Sequence, residues 1–148
     1  MWEVLEKLKA WILSQNDVFT AAGLKALKEK DIVIGQIDLS RYDNEVLISL
    51  YPETSDDTGE YNFIDGQGLQ QSVTITVLIR KDTYERLVEK MCKIESLLCH
   101  QIREDVTLNG NFNGCGLGER KFYLDAGAIE NQMTAVEIPL TLLYEDIL

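Results

Sequence analysis

The chain has 148 residues, with 25 acidic side chains against 14 basic ones, a formal net charge of −11 and 45% hydrophobic content. Those values suit one soluble globular domain with a single core. They exclude a membrane-spanning helix, since no stretch of about twenty apolar residues exists. They also argue against a protein that grips nucleic acid, because that grip comes from Lys and Arg neutralising phosphates.

The opening "MWEVLEK" mixes charges into its apolar residues and lacks an apolar block and small-residue cleavage site, so no secretory signal is expected. Trp2, Leu5, Leu8 and Ile12 recur at helical spacing and predict an amphipathic helix over residues 2 to 14. Trp2 and Trp11 fit the role of core or interface anchors. Asp17 is placed to cap a second short helix running to about Lys28, weakened by Gly23.

From Asp31 to Pro52, "DIVIGQIDL" and "EVLISLYP" are rich in β-branched residues and predict one or two strands. "ETSDDTGEYNFIDGQG", residues 53 to 68, reads as a long exposed acidic connection with a brief extended piece at Tyr61 to Ile64. "LQQSVTITVLIRKD" then alternates strictly, with Val73, Ile75, Val77 and Ile79 on one face, which predicts a strand. Asp82, with Glu85 three residues on, is the expected N-cap of a long helix through Tyr84, Leu87, Met91, Ile94, Leu98 and Ile102.

A glycine-rich connection follows, then a short strand around Lys121 to Leu124 and a turn at Asp125-Ala126-Gly127. In the last strand Val136, Ile138, Leu140, Leu142 and Tyr144 alternate against Ala135, Glu137, Pro139 and Thr141. Pro139 cannot donate to a ladder, so an edge position or a bulge is expected there. The order of elements predicts an α+β fold: a small, mostly antiparallel or mixed sheet of about four strands, with two helices packed on one face.

Few residues offer chemistry. Gly114, Gly116 and Gly118 in "NFNGCGLGER" follow a helix and precede a strand, the reverse of a dinucleotide-binding turn, and no Lys and Ser or Thr complete a phosphate loop. Their expected role is to supply positive-φ turns and mobility to a loop. Cys115 has one candidate base, His100, the only histidine. Cys99 and His100 are adjacent on a helix and point about 100° apart. Cys92 and Cys99 lie two turns apart, too far to share a disulfide or a metal. Three cysteines without a C-x-x-C fit a reducing compartment. Asp56, Asp57 and Glu60 are the densest carboxylate cluster, without the spacing of a calcium loop. No catalytic, cofactor or metal site is expected, and a Cys-dependent enzyme is the last of the readings.

The succession "EVLISLYPE", an acidic connection, "SVTITVLIRKD", "TYERLVEKMCKIESLLCHQI" and "FYLDAGAIENQMTAVEIPLTLLYED" resembles the small tail-terminator, or tail-completion, proteins of long-tailed bacteriophages and prophages, also known as minor capsid or minor tail proteins. It covers the chain from about Glu45 onward and rests on element order. The resemblance implies a structural protein of the virion tail, assembled in the host bacterial cytoplasm. Its subunits form a ring, commonly hexameric, that caps the tail tube, ends its polymerisation and joins the head connector. DNA would pass through the lumen without specific binding, and no cofactor or membrane is involved. Phe112 and Leu117, apolar residues in a loop, are candidate anchors of that assembly or else pack back onto their own domain, and Asp56, Asp57 and Glu60 lie on a candidate contact surface. The alternatives are another tail or neck component, such as a tube or connector subunit, or a small binding module with no viral role.

Overall fold

A computed structural model describes residues 1–57, 66–126 and 132–147. Helix α1 (Trp2–Ser14) buries Val4, Leu5, Leu8, Trp11 and Ile12, as its spacing predicts. Trp2 departs from the pattern: it is 61% exposed, and its indole N–H donates to Glu6 Oε1 at 2.7 Å. Helix α2 (Asn16–Ala21) is half the expected length and starts after Gln15, without a cap from Asp17. It stops because Gly23 takes φ +92°, where the Gly23 N–H bonds Thr20 O and the Leu24 N–H bonds Phe19 O, a Schellman ending. Leu24 and Leu27 are buried all the same. The Leu27 N–H is fastened back to Asn16 Oδ1 at 2.8 Å.

The six strands are β1 (Ile32–Ile34), β2 (Val46–Asp57), β3 (Gly66–Arg80), β4 (Gly114–Leu117), β5 (Lys121–Ala126) and β6 (Met133–Ile147), with α3 (Tyr84–Glu104) after β3. They form one mixed sheet in the order β1-β2-β3-β6-β4, with β5 also paired to β6. β1 and β2 are parallel, and every other pair is antiparallel. The α+β class is as expected, with six strands in place of about four and the short α2 added to two main helices. Much of residues 53 to 68 is strand, because β2 and β3 pair as far as Asp57 and Leu69 around a bulge between Pro52 and Thr54. Tyr61 to Ile64 lie outside the described residues. Asp125 and Ala126, expected in a turn, continue β5, and Gly127 lies outside the described residues.

One face of the sheet makes the core. Ile48, Leu50, Val73, Ile75, Val77, Ile79, Val136, Ile138, Leu140 and Leu142 meet the apolar stripes of α1, α2 and α3 in a single cluster. The N-cap of α3 is Thr83, one residue after the expected Asp82. Asp82 Oδ1 instead receives the Thr83 N–H, and its Oδ2 holds Lys90 at 2.8 Å. The other, outer face carries Tyr51, Thr74, Thr76, Leu78, Ala135 and Glu137, by the alternation of side chains along each strand.

Pro139 sits on neither an edge strand nor a bulge of β6, which pairs with β3 without a register shift. Its carbonyl accepts the Gly118 N–H at 2.8 Å, so the nitrogen that cannot donate faces the same side, away from β3. There β4 has ended at Leu117 and β5 has not begun, and the neighbouring strand is interrupted where Pro139 has nothing to give.

Candidate functional site

The glycine-rich stretch is built in, not looped out. The connection into it starts at Asp105, whose carboxylate accepts from Thr107 Oγ1 at 2.6 Å, the Thr107 N–H at 3.1 Å and the Asn109 N–H at 2.8 Å. These bonds, the Thr107 hydroxyl foremost, hold the Asp105 carboxyl below its ordinary range. Leu108, Asn109 and Gly110 all take positive φ, and Leu108 is fully buried beneath them. The Asn113 N–H then reaches Leu143 O at 2.8 Å and starts β4.

Gly114, Gly116 and Gly118 therefore serve strand pairing, and none of them is at positive φ. A Cβ on Gly118 would meet Pro139 Cβ at 3.0 Å, so any larger residue would have to push the proline ring aside. The expectation of a mobile loop is corrected on this ground. Phe112 is 4% exposed and stacks edge-to-face on Tyr144, with ring centroids 6.3 Å apart. Leu117 pairs with Leu140 and packs against the core. Of the two placements open to these residues, Phe112 takes packing onto its own domain, and Leu117 is partly buried against the same core. Asp56 is exposed near the far end of β2, in register with Gln70, and Asp57 continues the same strand opposite Leu69. Glu60 lies outside the described residues.

The structure does not bring Cys115 and His100 together. Cys115 is half-buried on β4 opposite Leu142, and burial, reinforced by the Asp105 carboxylate, pushes its thiol up. His100 is on the exposed side of α3, 3.7 Å from Glu104, whereas Leu98, Cys99 and Ile102 of that helix face the sheet. Cys99 is buried and its thiol is pushed up to about 11, mainly by burial. Neither of these two thiols is a thiolate at neutral pH. Among the described residues no three His, Cys, Asp or Glu side chains are grouped to hold a metal. A cleft of about 500 Å³ gathers Lys25, Lys28, Lys30 and Lys81, but Asp31, Asp43 and Glu45 line it too and offset most of that charge, so it is no phosphate cradle. Lys81 is paired with Asp43 at 2.9 Å.

What the surface does offer is edges and aromatic side chains. Among the described residues the sheet ends beyond β1, a three-residue strand. On its other side it ends at β4 and β5, where Phe122 and Tyr123 are 41% and 43% exposed. The Tyr123 hydroxyl bonds to Glu137 on the outer face, which raises its ionisation above the ordinary value. Phe122 was missed as a surface residue by sequence reasoning, whereas Trp2, read as a core or interface anchor, is exposed. The available signal was "KFYLD", two adjacent aromatic residues in a strand too short to bury both.

No family model matches the chain, and neither does any curated protein. No helix among the described residues is long and apolar enough to cross a membrane.

Proposed function

We propose that this chain is a structural subunit of a long virion tail, of the tail-terminator kind: a ring that caps the tail tube, stops its growth and presents the surface to which the head connector joins. The observation that carries this reading is the open sheet, whose two ends, β1 on one side and β4 with β5 on the other, are different strand edges. A subunit with two unlike edges adds to copies of itself head to tail, and such contacts close into a ring when the rotation per subunit permits. The order of elements supports the same reading. A formal charge of −11 supports a lumen through which DNA slides without being held. A tube or connector subunit would share these edges, and tail length separates the possibilities.

The test is electron microscopy of particles produced with and without this protein. Its loss is expected to give tails of uncontrolled length that fail to join heads. Tails of normal length joined to heads would refute the reading.

A further inference from the structure

We infer that the two edges pair with each other between copies, β5 of one subunit lying antiparallel to β1 of the next, with Phe122 seated in a groove beside Ile34 of its neighbour. This rests on the ring reading and makes its interface specific. Three features of the structure converge on it.

The first is strand direction. β1 runs parallel to β2, and β2, β3, β6 and β5 alternate in sense, so β5 runs opposite to β1. When a second copy continues the sheet in the same orientation, its β5 meets β1 as an antiparallel partner. The helix faces of both sheets then stay on the same side.

The second is the direction of the backbone groups. The Gly35 N–H turns inward to Leu50 O, so Ile34 before it turns its N–H and C=O outward. On the other edge, Pro139 C=O faces the β4 and β5 side. By alternation along β6, Glu137 and Ala135 do so too, and they take Lys121 and Tyr123 as hydrogen-bonded partners. Phe122, between those two, turns its backbone outward. Phe122 and Ile34 can therefore exchange hydrogen bonds, which sets Tyr123 opposite Val33 and Leu124 opposite Ile32.

The third is side-chain fit. Phe122 pairs with Val136, so it lies on the helix face of the sheet, yet it is 41% exposed. Ile34 lies on that face of β1, opposite Leu50. Beside Ile34 a groove of about 590 Å³ opens along α1, lined by Trp2, Ala10 and Leu13 and rimmed by Glu6 and by Lys9, which is paired with Glu29 at 3.6 Å. An incoming Phe122 would enter it and cover the exposed Trp2.

The experiment is disulfide trapping with sedimentation velocity, using Cys92→Ser and Cys115→Ala as background. Tyr123→Cys protein mixed with Val33→Cys protein is expected to form a cross-linked pair, since facing residues of antiparallel strands bring Cα atoms within disulfide range, about 4.5–5.5 Å. Tyr123→Cys mixed with Ile34→Cys, on opposite faces, is expected not to link. Phe122→Ser, still folded, is expected to weaken self-association about tenfold or more. Equal linking to both positions, or self-association unchanged by Phe122→Ser, overturns this interface but leaves a ring made by other contacts. A monomer at every concentration reached also overturns it, whereas tails of normal length without the protein overturn the ring reading itself.

Discussion

Replacing Phe112 with Ala tests whether the glycine-rich stretch belongs to the core. Phe112 is 4% exposed, and it touches the Tyr144 ring edge-to-face at 6.3 Å. Truncating a buried Phe to Ala costs about 3–5 kcal/mol, from lost transfer energy and the cavity left behind. Tyr144 is only half-buried and its ring lies under Lys7 Nζ at 4.8 Å, so it can relax into part of the space. The expected loss is therefore at the lower end, about 3 kcal/mol. At this chain length each kcal/mol lowers the melting temperature by about 2–4 °C, which gives about 6–12 °C. Urea unfolding followed by circular dichroism measures it, with the midpoint falling at unchanged slope. Phe122→Ser, at an exposed position, should cost about 1 kcal/mol or less in the same assay. A loss below about 1 kcal/mol for Phe112→Ala would refute its assignment to the core and restore it as a free docking anchor.

Gly118→Ala places a methyl group 3.0 Å from Pro139 Cβ and should destabilise by about 1–3 kcal/mol, as overpacking does. Gly116→Ala meets nothing within 4 Å and should be neutral or slightly stabilising in the same denaturation series. Titration with a thiol reagent at pH 8 should find Cys92 reacting at once and Cys115 more slowly. Cys99, buried and raised to about 11, should react only on unfolding. The carboxyls of Asp82 and Asp105 are held below the ordinary 3.8, Asp82 first by its bond from Lys90 and Asp105 first by that from Thr107. Their stabilisation is present above that ordinary value and is lost as pH falls through the lowered ones. Acid unfolding should therefore steepen below about pH 4, and Asp105→Asn should flatten that part of the profile.

The elements that announced themselves did so through one clean periodicity. In β3 the run Val73, Ile75, Val77, Ile79 faces the core, and in α3 Leu87, Met91, Ile94, Leu98 and Ile102 do the same. Elsewhere the signal was absent or misleading for identifiable reasons. β4 consists of Gly114-Cys115-Gly116-Leu117, whose glycines carry no strand propensity, and its place depends on pairing with Leu140 to Leu143 of β6, distant in sequence. The outer part of β2 is exposed from Glu53 to Asp56, so no apolar alternation marks it. Leu24 and Leu27 extended the apparent period of α2 because both are buried, although Gly23 had already ended the helix. The site was less legible than the fold. Phe112 and Leu117 looked like loop residues because β4 was invisible, and Phe122 became a surface candidate only when β5 was placed at an edge.

The measurement that bears most directly on the whole account is the tail-length distribution in cells lacking the native protein and supplied with either wild type or Phe122→Ser. If an edge-paired ring ends the tail, wild type restores a single length, and Phe122→Ser, folded and present in equal amount, leaves tails long, variable and unjoined. Tails of one normal length with the Phe122→Ser protein would contradict the account.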